Sequence, residues 1–290
     1  IKEIENVKNF SKNLNTRINY EFINFEDNKK IFYEVIKSLD EPNSDSASIP
    51  SYLLAKNSKK NNDKVILNGC GGDEIFGGYD RHYIKNRFVI GNFISKIKKK
   101  INIKGNLFYF NKNLLHYEIK LTDPIIRFVS NSSGTNLGFL SKTLKNNFFE
   151  KGCELINKKF VDYNFNYEKY GPVYAGMFQD LKYYVPDNLL FIADQTSMDN
   201  SVEVRVPFLD HRIIEKIFSF PKKLIISKSF KNSKRLLRQI LKKYFSLESL
   251  NTKKVGFNVP SNQWVKKEYE YFKNFILNEN KSEVWSVFDF

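Results

Sequence analysis

Val65-Ile66-Leu67-Asn68-Gly69-Cys70-Gly71-Gly72-Asp73-Glu74-Ile75-Phe76-Gly77-Gly78-Tyr79 is a short apolar run that opens into a loop holding five glycines and two adjacent acids. Three apolar residues in unbroken series predict a strand buried on both faces, and ligands of open α/β sheets bind at the carboxyl edge of such strands. Glycines let backbone N–H groups approach a nucleotide closely, and paired acids in such a loop suit a Mg²⁺ ion shared with phosphate oxygens. A purely structural reading competes: the glycines serve turns, and Asp73 and Glu74 cap a helix beginning near Tyr79. Residue chemistry alone leaves both open.

Upstream, Ile4, Val7, Phe10 and Leu14 recur with helical spacing, Ile18, Tyr20 and Phe22 alternate as in a strand, and residues 28–39 return to a helical pattern that Asp40-Glu41-Pro42 ends. Another helix is predicted over residues 46–60, where Ile49, Tyr52 and Leu53 share a face and Ser and Asp precede as caps. Downstream of Tyr79 helical patterns dominate, over 88–101, 173–184, 211–218 and 233–244. The fold class predicted is α/β, a parallel sheet with flanking helices, followed by a mainly helical C-terminal part. Residues 91–170 are rich in Lys and Asn and carry no nameable motif; the basic stripe around Phe88, Phe93, Ile94 and Ile97 reads as a core-facing helix side, with a membrane-surface helix as the alternative. No internal repeat is visible.

The 290 residues, 41% of them hydrophobic, can bury a sizeable core. Lys and Arg number 47 against 32 Asp and Glu, a net +15 that attracts phosphate-bearing partners in general, although part of the Lys excess reads as compositional bias. Two cysteines, Cys70 and Cys153, are too few for a disulfide framework and fit a reducing compartment. With no apolar stretch of membrane-spanning length and no signal-peptide pattern, a soluble cytoplasmic protein is expected. The chain starts inside a helical pattern at Ile1 without an initiator Met and stops inside an apolar stretch at Phe290, so it reads as a fragment. His82, His116 and His211 have no ligand spacing, and no zinc site is expected.

Gly71 through Tyr79 resembles the G-G-D-E-[LIV]-F-G-G-Y signature of the asparagine synthetase family. A second block is similar to that family's S-M-x-x-S-x-E-x-R-x-P-F-L-D: Ser197-Met198, then Ser201, Glu203, Arg205 and Pro207-Phe208-Leu209-Asp210. Further matches are Asp40-Glu41-Pro42 with Ile49-Pro50-Ser51-Tyr52-Leu53-Leu54, Lys234-Arg235-Leu236-Leu237-Arg238, and Lys254-Val255-Gly256-Phe257-Asn258-Val259-Pro260. The resemblance covers roughly residues 1–270 and is weakest over 91–170. It implies one synthetase domain of the PP-loop ATP pyrophosphatase type, adenine nucleotide alpha hydrolase-like: an α/β part with the nucleotide loop over 1–90, a variable helical region over 91–170, and a helical part with signature segments over 171–290.

The activity so implied makes asparagine from aspartate, ATP and glutamine-derived ammonia through an acyl adenylate, releasing AMP and pyrophosphate. By resemblance, Asp73 is the carboxylate that holds Mg²⁺ against the pyrophosphate, and Asn68 and Gly69 stand where the family contacts ATP. Lys254 matches the lysine that neutralises charge on the phosphates and the adenylate. Cys70 takes the place of a family acid that is a candidate base for incoming ammonia, and Gln195 stands where many relatives carry Arg or Lys. Glu74 is the second loop acid. Glu203 and Arg205 either orient substrate or form a structural ion pair in a buried segment; the structural pair is the reading preferred.

The family's S-G-G-x-D-S phosphate loop and its glutaminase domain are expected upstream of Ile1, so the ammonia source is a domain missing from this chain. Homodimerisation is compatible with the resemblance, and neither a nucleic-acid partner nor a membrane is expected. Two other readings remain: a related amidotransferase or β-lactam synthetase-like enzyme using another carboxylate, suggested by Cys70 and Gln195, and a non-catalytic nucleic-acid-binding protein, suggested by charge alone.

Overall fold

In a computed structural model, the described residues are 2–23, 25–83, 128, 143–227, 232–245 and 256–278. In chain order they form α1 (Lys2–Leu14), α2 (Phe25–Ser38), α3 (Ser48–Lys60), β1 (Val65–Leu67) and α4 (Gly72–Ile75), then a 3-10 turn at Asp80–Tyr83. There follow α5 (Asn146–Lys159), α6 (Val161–Tyr170), α7 (Pro172–Gln179), a π-helical stretch over Asp180–Leu190, α8 (Phe191–Met198), β2 (Glu203–Arg205) and a 3-10 turn at Pro207–Leu209. The chain closes with α9 (His211–Ser219), α10 (Lys222–Ile225), α11 (Arg235–Leu241), α12 (Ser261–Lys267) and α13 (Tyr269–Asn278). Two compact units divide it: one of residues 1–76, 184–227 and 234–269, the other of 77–183, 228–233 and 270–290.

The first unit holds the sheet. β1 and β2 pair in parallel, Val65 opposite Glu203, Ile66 opposite Val204 and Leu67 opposite Arg205. A parallel pair needs a long crossover, and here 135 residues separate Leu67 from Glu203. The core of this unit is Val35, Ile49, Tyr52, Leu53 and Val259, with Ile31, Phe32, Leu39 and Trp264 packed against it, so the apolar faces of α2 and α3 meet as their spacing predicts. α8 packs on α3 and leads into β2. Its tail is tied by side-chain bonds back to the backbone: Thr196 Oγ1 donates to the Ile192 carbonyl at 2.7 Å and Asn200 Nδ2 to the Thr196 carbonyl at 3.0 Å. The Ser197 and Met198 carbonyls accept from the Val202 and Ser201 N–H groups at 3.0 and 2.8 Å, so the Ser-Met run closes the turn that leads into β2.

The parallel pairing and the helices α1, α2, α3, α9 and α11 follow the sequence expectations. Three expectations change. Residues 18–22 form no strand, because no described neighbour offers them a ladder. β1 is not buried on both faces: the described sheet has two strands, and Val65 and Leu67, which share one face, are 39% and 74% exposed while Ile66 on the other is half-buried. The helix expected near Tyr79 is preceded by α4, so Asp73 and Glu74 lie inside a helical turn and cap nothing at Tyr79. The predicted helix over 88–101 lies outside the described residues, as does the apolar terminus.

The second unit is helical. Phe128, Tyr163 and Ala175 form its core with Ile156, Phe160 and Tyr167 around them, and α7 packs on α6 and on the turn Asp80–Tyr83. Pro172 starts α7, where its missing N–H costs nothing and its fixed φ suits the helix. The buried Asp180 accepts from Arg81 Nη2 at 2.9 Å and lies 2.6 Å from His82 Nε2. A Cβ on Gly176 would sit 2.7 Å from His82 Cδ2, so only glycine lets α7 approach that ring.

Candidate active site

Pairing with β2 fixes where β1 ends. The Asn68 N–H donates to the Arg205 carbonyl at 2.8 Å, extending the ladder by one bond, and the Asn68 side-chain oxygen accepts from the Cys70 N–H at 2.9 Å. That second bond is an Asx turn, which reverses the chain just past the strand. Asn68 thus spends its side-chain oxygen on the turn, while its amide N–H₂ remains a donor. Gly71 follows at φ +91, left-handed, and a Cβ there would lie 2.5 Å from Leu209 Cδ2. Both the dihedral and the space demand glycine. Phe208 lies over the next residue, Gly72, and meets Phe76 edge to face with ring centroids 6.0 Å apart. The two signature blocks, more than 110 residues apart in sequence, are therefore packed onto each other, and the loop is shaped by Phe208 and Leu209.

The loop's two acids have different fates. Glu74 is 1% exposed and belongs to the protein interior. Asp73 is half-buried, its side chain 21% exposed, and its buried Oδ1 lies 3.0 Å from the Lys234 ammonium. Cys70 is half-buried; burial first, then the charges of Glu74 and Asp73, push its thiol up to about 11. It is a neutral thiol near pH 7. Gly69 has open space beside its Cα, so a ligand can approach the backbone there.

Glu203 and Arg205 lie two apart on one face of β2, as a period of two requires. Arg205 Nε donates to Glu203 Oε1 at 2.8 Å, which lowers the Glu203 carboxyl and raises the Arg205 guanidinium. The ion pair expected from the sequence is present, but it is exposed, the side chains being 56% and 60% accessible. Asp210 caps α9, its carboxylate accepting from the Arg212 N–H at 2.9 Å, with His211 the helix's first residue. Gln195 is half-buried in α8.

The structure thus gathers Asn68, Gly69, Cys70, Asp73 and Glu74 on one loop, sets Arg205 beside it through the backbone, and adds Lys234. Lys254 lies outside the described residues. Lys234 was legible only as part of the Lys234-Arg235-Leu236-Leu237-Arg238 match; nothing in the sequence ties it to Asp73. Among the described residues no three or more His, Cys, Asp or Glu side chains gather as a metal cluster, and no helix is long and apolar enough to cross a membrane.

The asparagine synthase family model matches residues 1–289. The chain is 27% identical over 256 residues to asparagine synthetase (glutamine-hydrolyzing) 1 of Bacillus subtilis, covering 87% of this chain and 39% of that protein. It is 26% identical over 250 residues to a putative asparagine synthetase (glutamine-hydrolyzing) of Mycobacterium bovis, covering 80% and 35%. A shorter match, 34% over 74 residues, joins it to putative asparagine synthetase (glutamine-hydrolyzing) 1 of Methanocaldococcus jannaschii, covering 25% and 14%. The chain therefore spans well under half the length of these relatives. No solved structure matches it. A match over nearly its whole length, to a family whose two signature blocks are the segments that pack together around Gly71, means that this chain belongs to the asparagine synthase family.

Proposed function

We propose that this chain is the ATP-dependent synthetase portion of a glutamine-dependent asparagine synthetase, on the PP-loop, adenine nucleotide alpha hydrolase-like fold. The carrying observation is the glycine loop at the end of β1, shaped by Phe208 and Leu209, with one half-buried carboxylate, Asp73, opposite an ammonium. In this reading the β-carboxylate of aspartate attacks the α-phosphorus of ATP. Pyrophosphate leaves, and ammonia then displaces AMP from the β-aspartyl adenylate to give asparagine. The ammonia comes from a glutaminase domain outside these 290 residues.

Each loop residue has a task. The open backbone at Gly69 and the free amide end of Asn68 meet the nucleotide. Lys254 offsets negative charge building on the phosphates. Asp73 fits a Mg²⁺ that arrives with phosphate: such an ion takes one or two carboxylates and completes its shell with phosphate oxygens and waters, and this carboxylate already accepts a cation at 3.0 Å. Bound there, the ion would offset charge on the leaving pyrophosphate. Glu74, buried, supports the turn.

The test is Asp73→Asn in the full-length protein, which removes charge without changing volume. Mg²⁺-dependent pyrophosphate release with aspartate and ATP should vanish while the circular dichroism spectrum and melting temperature stay close to the parent's; unchanged release refutes the assignment. One observation favours a second acceptor: Cys70 is a neutral thiol, so it offers incoming ammonia no base. If the acceptor is aspartate, Cys70→Glu raises the ammonia-dependent rate, base help being worth roughly 100-fold when well placed. A fall in that rate, together with AMP release on a different carboxylate in the parent, would point to a related amidotransferase.

A further inference from the structure

Lys234 opens the Lys234-Arg235-Leu236-Leu237-Arg238 match, but nothing in the sequence ties it to Asp73. It precedes α11 with φ 55 and ψ 38, the left-handed region that residues with a β-carbon seldom adopt. A strained backbone persists where surrounding structure over-determines it, and such residues cluster at functional sites. Here the conformation accompanies an ammonium 3.0 Å from Asp73 Oδ1, within a single compact unit. Both side chains are only partly accessible, at 26% and 21%, and the Asp73 oxygen that meets the ammonium is itself buried, so the pair is less screened than a surface pair.

We infer that Lys234 is a built-in counter-ion of Asp73, holding that carboxylate in place until a divalent cation displaces its ammonium. This rests on the reading of Asp73 as the metal carboxylate. A Lys ammonium is a strongly hydrated point charge on a flexible four-carbon stem, so it can occupy the cation's place and withdraw without unfolding α11. A divalent ion brings twice the charge to the same oxygen and wins the exchange, but at a cost in apparent affinity set by the ion pair. Lys234 is a positioning residue for Asp73, and it makes the nucleotide-free site a weaker trap for a stray cation.

Mn²⁺ alone serves as the probe. Free Mn²⁺ is followed by electron paramagnetic resonance during titration of the nucleotide-free full-length protein. Lys234→Met should bind Mn²⁺ roughly two- to five-fold more tightly than the parent, the range that a partly exposed ion pair represents. Lys234→Arg, which keeps the charge, should stay near the parent. Lys234→Gly removes the ammonium while suiting the left-handed backbone, so it should match Lys234→Met and remains informative should the Met variant fold poorly. Lys242→Met changes net charge equally at the exposed far end of α11, about 12 Å along the helix and so beyond a Debye length at 0.1 M salt; it should leave affinity unchanged. Asp73→Asn should lose the site. Unchanged or weaker binding in both Lys234→Met and Lys234→Gly, with the site still lost in Asp73→Asn, overturns the counter-ion role alone. Parent-like binding in Asp73→Asn overturns the reading of Asp73 on which it stands.

Discussion

Gly71 and Cys70 show how a loop of small residues is held to one shape. At φ +91 a residue bearing a β-carbon is strained by roughly 1–2 kcal/mol, and the Cβ of alanine would also press on Leu209, whose Cδ2 lies 2.5 Å away. Gly71→Ala should therefore destabilise the protein by about 2–3 kcal/mol, read as a lower urea midpoint, with Gly69→Ala, which meets open space, as the mild control. At Cys70 the thiol is moved from 9.0 to about 11 because burial and two carboxylates disfavour the thiolate. At pH 8 this leaves about 100-fold less thiolate than an unperturbed thiol, so iodoacetamide should alkylate Cys70 correspondingly slowly. Because the folded value lies above the unfolded one, the associated stability is fully present below pH 9 and is lost as pH rises through about 11. Fast alkylation at pH 8, measured on the Cys70 peptide, would contradict this burial.

The turn Asp80–Tyr83 and the π-helical stretch beginning at Asp180 are joined by buried charge. Asp180 is 2% and His82 0% exposed, and Arg81, also stacked 3.8 Å from the Tyr79 ring, donates to the same carboxylate oxygen. A buried network of this kind holds two elements in one arrangement but depends on every member being satisfied. Asp180→Ala takes the shared acceptor from both partners and should cost about 3–5 kcal/mol, visible as lost hydrogen-exchange protection in the Asp80–Tyr83 turn and in α7. By contrast the exposed pair of Glu203 and Arg205 stands in water. Replacing Glu203 by Gln should leave the melting temperature nearly unchanged, because exposed pairs contribute little.

Across the whole chain, the glycine loop, Phe208 and Leu209, and Lys234 come together at the proposed site, while the 290 residues contain no S-G-G-x-D-S run. Calorimetry on this chain by itself should show at most weak ATP binding, and sub-micromolar affinity would mean that these residues hold the nucleotide unaided. The net charge of +15 supplies a general attraction for anions but no site. A salt-resistant complex with RNA or DNA at physiological ionic strength would reopen the nucleic-acid reading.

What the sequence determined by itself was local. The periodicities of α2, α3 and α9 and the run Val65-Ile66-Leu67 report each element's own preference, and the two signature blocks identify the family through residues that must be of one type, such as Gly71. Helical spacing is a property of consecutive residues, so it survives without knowledge of neighbours. The tertiary structure decided what depends on partners distant in the chain. Ile18, Tyr20 and Phe22 alternate like a strand yet find no described ladder, and Leu67 looks like core yet stands 74% exposed, because strand burial is conferred by the layers around it. In the sequence, Glu203-Val204-Arg205 carries only a motif; pairing with β1 makes it a strand. Of the two adjacent acids, only packing separates the interior Glu74 from the half-buried Asp73. Only the fold places Lys234, 161 residues further along, against that carboxylate, because an ion pair is made by proximity in space and leaves no period in the sequence.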